Sequence, residues 1–553
     1  MQFKVKKRDG PARIGEFTFK KNTIKTPNIF FVDTKRFKAP SFSEINLLKN
    51  IEDESIIISE VDEYKEKNSD LITIKYGSQL LAQPKNFIDF IISLREKIGY
   101  QKAIYLPGVG NPANISLLTY LGVDFFDSTP AIIAARNNIL FFESGLIKKE
   151  DLHEVFCNCP ICSKVKNPKD LEYEKILNHN YYTIFSELRK VRNAIAKQNI
   201  RNLVENKVSS DPNSAAILKN LDEKYYEFLE KRTPIASKSQ LIATTKESIN
   251  RPEIKRFQER VINRYKKPKS AKILLLLPCS AKKPYFLSKS HKFFRNILLS
   301  TKNPFIVHEV IITSPLGLVP RELELTYPAA NYDIPVTGVW ESHEKDMIKN
   351  LLSIYLKNNN YDKIIAHLPA GLMDFLKPVI KNAVVTCIDH PTSNKSLEKL
   401  RDALNKEINH YNIVANKQKS IEEILCLASY QFGLQNADEL LKNSEIKGKY
   451  PHRKIIREKN QLGMITQERG IISLTLDGAN KIKNYDVEIY DDFELIGSVF
   501  APGIKNADKA IRIGDEVVVK NKKQIVAVGV AQMNSEEMIQ STYGEAVKIR
   551  HKI

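Results

Sequence analysis

Three cysteines stand within six residues, in Cys157-Asn158-Cys159-Pro160-Ile161-Cys162, and His179 follows 17 residues after the last of them. Three thiolates on one tight loop and one imidazole would fill a tetrahedral shell with no open position, which is the chemistry of a structural zinc ion. His153 competes for the fourth place, so the imidazole is less fixed than the sulfurs. A second cluster, Pro278-Cys279-Ser280-Ala281-Lys282-Lys283-Pro284-Tyr285-Phe286-Leu287-Ser288-Lys289-Ser290-His291, holds the ingredients of nucleophilic catalysis. A thiol with Lys283 nearby and Ser288 and His291 on the next element is in an electropositive setting of the kind that lowers a thiol pKa. On spacing alone a structural loop fits equally well. Lys282 and Lys289 read as phosphate contacts or plain surface charge.

These groups need elements to hold them. Residues 273–277 are a continuous aliphatic run, which predicts a buried parallel strand directly before Cys279. The loop leaving the carboxyl end of such a strand is where ligands bind in open α/β sheets. Strand and helix patterns alternate from the start to about residue 233, with strands expected at 56–58 and 103–106 and helices at 87–98 and 180–195. After a Pro- and Lys-rich link at 266–269, further strands are expected at 305–313, 361–367 and 383–387, followed by helices from 396 to about 443. The last 85 or so residues change to short β-rich runs at 487–490, 516–519 and 525–530, separated by Gly, Asp and Asn, which predicts a small barrel.

At 553 residues the chain requires several domains, and its 85 Lys and Arg against 65 Asp and Glu give a net charge of +20, suited to a polyanionic partner. The excess is concentrated: residues 231–310 carry 19 basic and 4 acidic side chains, whereas residues 470–553 carry 11 and 12. A solvated helical linker is the plain reading of such a basic segment, and RNA contact by the terminal stretch must rest on shape and a few placed groups. Six cysteines in so long a chain do not make a disulfide framework. The first ten residues contain four basic side chains and no signal-peptide core, and no apolar run reaches membrane-spanning length, so a soluble, cytoplasmic protein without membrane attachment is expected.

The zinc loop and its flanks resemble tRNA-guanine transglycosylases. The match includes Cys-x-Cys-x-x-Cys with the later pair His179-Asn180, the loop Gly108-Val109-Gly110-Asn111-Pro112, and Leu121-Gly122-Val123-Asp124-Phe125-Phe126-Asp127. The resemblance implies a (β/α) barrel region over residues 1–235, base-pocket roles for Gly108 and Gly110, and Asp127 at the position of the nucleophilic carboxylate. The family's Asp-Ser-Gly-Gly-Phe-Gln segment has no counterpart, since the equivalent region reads Ile58-Ser59-Glu60-Val61-Asp62-Glu63. Base exchange needs a second acid/base group, so Asp127 is either active or a relic.

The pattern Pro-Cys-x-x-x-Lys-Pro-Tyr-x-x-Ser-x-x-His at 278–291 resembles the signature of archaeosine synthases without a mismatch. So does the stretch that contains Arg321, Glu322, Glu324, Tyr332 and Asp333 and runs on to Trp340, whose density of Pro, Gly, Arg and Glu fits a shaped pocket loop, with a proline-stiffened connector as the alternative. The resemblance implies addition of a nitrogen from lysine or glutamine to the nitrile of a 7-cyano-7-deazaguanine at position 15 of archaeal tRNA. Catalytic roles would fall to Cys279, Lys283, Tyr285, Ser288 and His291, with His291 or Lys283 moving protons. Substrate contacts would fall to Pro284, Arg321, Glu322, Glu324, Tyr332 and Asp333. If lysine is the donor, a radical SAM partner protein would complete the product, and a homodimer is one assembly to consider.

Residues 497–551, with Gly503, Arg512 and Arg550, resemble a PUA domain, which implies RNA binding, with the two arginines able to meet phosphates. The expected architecture is α/β and multidomain. Residues 1–235 form the transglycosylase-like barrel region with the zinc site, 236–269 a basic linker, 270–395 a second α/β catalytic core, 396–467 a helical connecting segment and 468–553 a β pseudo-barrel. A transglycosylase and a non-catalytic tRNA-binding subunit are the competing functions.

Overall fold

A computed structural model describes residues 2–19, 22–46, 55–66, 69–493 and 495–553. It contains two compact units: the first comprises residues 1–234, 499–504 and 533–546, and the second comprises 235–498, 505–532 and 547–553.

In the first unit an antiparallel sheet of Gln2–Asp9, Ala12–Phe19 and Asn22–Thr26 precedes a five-stranded parallel sheet. The order of the latter is Asn28–Phe30, Phe125–Asp127, Ala103–Tyr105, Leu71–Ile74, Ile56–Ile58. Its strands are short and almost wholly buried because helices cover a parallel sheet, and Ile-Ile-Ile, Leu-Ile-Thr-Ile and Ala-Ile-Tyr supply the required apolar runs. This is the transglycosylase-like barrel region. The helix expected at 180–195 is longer, Tyr173–Lys197, because Ile176 and Leu177 extend its buried stripe by two turns. His179 therefore lies inside the helix, fully buried, and is held rigidly. Residues 533–546 are tied into this unit by Arg8, whose Nη2 donates to Glu537 Oε1 at 3.0 Å, and by Gln101, whose Nε2 donates to the Tyr543 carbonyl at 2.9 Å.

The second unit is built on a five-stranded sheet ordered Gly317–Pro320, Val307–Thr313, Ile273–Pro278, Lys363–Ala366, Val384–Val385. Ile273–Pro278 is central and pairs in parallel with both neighbours, and Gly317–Pro320 is the antiparallel edge. Ile273 and Leu274 to Leu277 are all fully buried, and each such side chain stabilises the fold by about 1.5–3 kcal/mol. The loop carrying Cys279 thus leaves the central, buried strand of the sheet. Helices Asn394–Ile408, Asn416–Phe432 and Leu434–Leu441 follow.

An antiparallel four-stranded sheet of Glu445–Lys447, Arg453–Arg457, Asn460–Ile465 and Ile472–Leu474 runs across the residue-468 boundary expected for the terminal module. The segment after 443 is therefore not helical. Ile455 in Arg453–Arg457 and Leu462, Gly463 and Ile465 in Asn460–Ile465 are the buried positions of the sheet's two central strands. Beyond it, Asp486–Ile489, Glu516–Asn521, Gln524–Ala531 and Glu545–Lys552 belong to a six-stranded, nearly closed barrel. No helix among the described residues is long and apolar enough to cross a membrane.

One buried ion cluster pins two helices of the first unit. Arg201 in Ile200–Val208 donates to both Asp222 oxygens at 2.8 and 2.6 Å and to Glu205 at 2.9 Å, all three side chains being nearly inaccessible. Arg201→Met would remove the guanidinium that pairs with both buried carboxylates. It is expected to cost about 3–5 kcal/mol in urea unfolding of the full chain; a loss under 1 kcal/mol contradicts this role.

Candidate functional site

Pro278 ends the central strand, and Cys279 emerges half-buried at its carboxyl end, where it lines a cavity of about 450 Å³ with Ser280, Ser290, Ser314 and Trp340. The loop is shaped by a hydroxyl chain. Tyr332 and Tyr285 hydroxyls are hydrogen-bonded to each other, and the Tyr332 hydroxyl is 2.6 Å from Thr313 Oγ1 at the end of the neighbouring strand. Both tyrosines are buried, which pushes their pKa values up and keeps them as neutral hydrogen-bonding groups.

The electropositive setting expected to lower the Cys279 pKa does not prevail. Burial pushes the thiol above its ordinary value, and the Thr313 hydroxyl and Lys283 oppose that only in part. Burial also depresses the Lys283 ammonium, whose Nζ sits 4.1 Å from the Tyr332 ring centroid. The same desolvation therefore drives both groups towards their neutral forms. Asp333 is exposed beside this lysine and favours its charge.

His291 is placed differently from the expectation that it moves protons at the thiol. It is 1% exposed and lies behind the loop, where Arg321 Nη2 donates to its Nδ1 at 3.0 Å. Burial and the Arg321 charge hold its pKa at about 3, so it is neutral with its proton on Nε2. Arg321 also donates from Nε to Glu309 Oε2 and from Nη1 to Glu324 Oε2, each at 3.0 Å. Glu324 in turn accepts from the Phe286 N–H at 2.8 Å and the Tyr450 hydroxyl at 2.8 Å. Burial alone would raise the Glu309 carboxyl, but Arg321 and Arg295 hold it at about 2.

Arg321, Glu322 and Glu324, expected as substrate contacts, instead line a separate cavity of about 240 Å³ with Tyr450 and Arg453. Glu322 is taken up by His308 Nε2 at 3.1 Å and the Tyr265 hydroxyl at 3.0 Å. Ser288 stands at the start of helix Lys289–Leu299 without capping it, its hydroxyl 3.0 Å from Ser290 Oγ, and Pro284 precedes the short turn Tyr285–Leu287. Beyond the expected set, Glu344 and His390 are among the residues that line the cavity, and Thr313 holds the Tyr332 hydroxyl. Thr313 was accessible from its place at a strand end. Glu344 and His390 come from a helix start and a distant loop, and no local motif marks them.

The four metal-binding candidates converge. Cys157, Cys159, Cys162 and His179 place their ligand atoms within 4.8 Å of one another, with His179 Nδ1 at 3.6 Å from Cys159 Sγ and 3.3 Å from Cys162 Sγ. His179 Nε2 donates to the Phe141 carbonyl at 2.8 Å, which turns the Nδ1 lone pair towards the sulfurs. His153 is exposed and outside the cluster, so the competition for the fourth position goes to His179. Asn180 beside it accepts from the Phe141 N–H at 2.8 Å.

Asp127 does lie at a strand end, but its acceptors are engaged. Oδ2 takes the Gly108 N–H at 2.7 Å and the Tyr105 hydroxyl at 3.0 Å, and Oδ1 takes the Thr129 N–H at 2.7 Å. Gly108 and Gly110 adopt φ of +70° and +110°, and a Cβ on Gly110 would come within 3.2 Å of the Phe126 ring, so this tight loop needs glycine. In the terminal module Arg550 is committed internally rather than left for phosphate. Its Nη1 donates to the buried Glu516 at 3.0 Å and its Nη2 to the Leu474 carbonyl at 2.9 Å. Arg512, half-buried, donates to the Lys509 and Ile511 carbonyls at 2.8 and 3.2 Å, and Gly503 is buried in the turn Ala501–Gly503.

Three family models match the chain: a queuine tRNA-ribosyltransferase family over residues 60–213, a domain family of unknown function over 254–404 and the PUA domain over 494–553. The chain is 33% identical to the archaeosine synthase of Haloferax volcanii, over 99% of each chain. It is 36% identical to the archaeosine synthase subunit alpha of Methanosarcina acetivorans, over 88% of this chain and 80% of that protein. A tRNA-guanine(15) transglycosylase of Methanobrevibacter smithii is 26% identical over 84% of this chain and 69% of its own length.

Because burial raises the Cys279 pKa, its alkylation by iodoacetamide, followed by peptide mass analysis, should keep increasing with pH past the ordinary thiol value of 9.0. A plateau reached below pH 8 would contradict the buried, neutral thiol.

Proposed function

The chain belongs to the archaeosine synthase family, and from that premise we propose how it converts a nitrile to an amidine on tRNA. Its substrate is 7-cyano-7-deazaguanine at position 15 of archaeal tRNA, and the nitrogen comes from lysine or glutamine. The observation that carries this reading is a neutral thiol, Cys279, at the carboxyl end of the central strand and open to a cavity large enough for a nucleobase.

The step balances without an oxidant or reductant. The Cys279 sulfur bonds to the nitrile carbon while its proton passes to the nitrile nitrogen, giving a thioimidate. The donor amine then bonds to the same carbon, the C–S bond breaks, and the sulfur recovers a proton as the amidine leaves. Lys283 supports this exchange: burial favours its neutral amine, which can take the thiol proton and return it. Tyr285, Tyr332 and Thr313 fix the loop, while His291, Arg321 and Glu324 act behind it as positioning residues. With lysine as donor the product still carries the lysyl group, and a separate radical SAM enzyme would cleave it.

Zinc is the metal that the Cys157, Cys159, Cys162 and His179 donors fit, since three sulfurs and one nitrogen at these separations complete a tetrahedron. Its role is structural, anchoring the loop to helix Tyr173–Lys197. Base exchange is disfavoured because three internal donors already bind the Asp127 carboxylate, and each reduces its nucleophilicity. The transglycosylase-like region and the PUA-like module then serve to hold the RNA with nucleotide 15 displaced from its stack.

Two measurements test these assignments. Elemental analysis of the purified chain should find about one zinc, lost in His179→Ala; a different metal, or none, overturns the zinc site. Incubating cyano-base tRNA with lysine, glutamine or ammonia separately should give a nucleoside mass gain with at least one donor, abolished in both Cys279→Ala and Cys279→Ser. Near-normal turnover in either variant removes the thiol from the mechanism.

A further inference from the structure

The Cys279 cavity has one carboxylate among its lining residues, and nothing in the chemistry at the thiol uses it. Glu344 lies half-buried in the first turn of helix Ser342–Asn358, where its Oε2 accepts the Glu341 N–H at 2.9 Å in a capping box. Helix capping alone does not require that the side chain also line a cavity. Beside it stands Trp340, the single tryptophan of the chain, half-buried with its ring centroid 6.1 Å from that of Phe375. Val336 and Val339, on the same segment, are 69% and 76% exposed. An apolar rim, an indole and one carboxylate around a thiol suit a flat, polar-edged ligand better than an aliphatic one.

The geometry points to Glu344 as the specificity-determining residue that reads the guanine-type edge of the base, with Trp340 as the surface on which the ring stacks. This rests on the amidine-forming reading above and names the contacts that select its substrate. A guanine-type base presents two adjacent donors, the N1–H and the 2-amino group, and a carboxylate offers two oxygens at matching spacing. An adenine-type edge would place its N1 lone pair against the same carboxylate and be repelled. The capping bond leaves Oε1 and a second lone pair of Oε2 available, so one side chain serves both tasks. The valine rim would then be covered by the displaced nucleotide.

Two tRNAs test this with the full chain: one carrying the cyano base, the other its counterpart without the 2-amino group. The wild type should prefer the 2-amino substrate strongly in kcat/KM for amidine formation. Glu344→Gln should lose about 10- to 100-fold on the 2-amino substrate and most of the preference, because the amide offers one acceptor oxygen. Glutamine preserves the capping box, so the melting temperature should be unchanged, which separates edge reading from helix stability. Glu344→Asp should retain the preference at lower turnover. A Glu344→Gln variant with the wild-type preference overturns the proposal, whereas a wild type that makes no amidine on either tRNA overturns the underlying function as well. Emission from Trp340 should be quenched by cyano-base tRNA and not by the same tRNA made abasic at position 15. Equal emission with both would remove the base from this cavity.

Discussion

The buried guanidinium of Arg321 is the constraint on which the geometry around Cys279 depends. A charge taken out of water is tolerated only when paired, and here Glu309, Glu324 and His291 surround it. Glu309 belongs to the strand beside the central one, His291 to the helix after the thiol loop, and Glu324 binds the loop backbone at Phe286. One side chain thereby fixes the distance between a strand, a helix and a loop that are far apart in sequence. Tyr450 extends the same network to the connection between the first two strands of the four-stranded sheet. The position of Cys279 follows from this bracing and from the central strand.

Desolvation decides the protonation states at the site. It raises the thiol and lowers the lysine, so burial opposes a preformed thiolate–ammonium pair. A thiol that keeps its proton suits addition to a nitrile, where the proton must end on the substrate nitrogen. The imidazole that the signature places nearby contributes rigidity instead, because Arg321 occupies its Nδ1.

In the first unit Asp127 stands at a strand end, where Gly108, Tyr105 and Thr129 donate to its carboxylate. The three cysteines and His179 bring a loop against a long helix. In the terminal barrel Glu516 captures Arg550, so the recognition surface there does not follow from counting arginines.

The sequence by itself determined the elements and the chemistry that is local to them. The aliphatic run before Cys279 identified the central strand, since a parallel strand buried on both faces has few other compositions, and Cys-x-Cys-x-x-Cys identified three ligands held within one loop. Choosing His179 over His153 required the tertiary structure, because helix Tyr173–Lys197 carries one imidazole to the sulfurs while the other stays in solvent. The same holds for charge. Spacing placed lysine and histidine near a thiol and suggested a lowered pKa, but the sign of the shift depends on burial, which is set by every element packed around the loop. The sorting of Arg321 and Glu324 behind the site, and of Glu344 and Trp340 within it, was likewise decided by three-dimensional packing. These side chains meet across distances in the chain that no local pattern encodes.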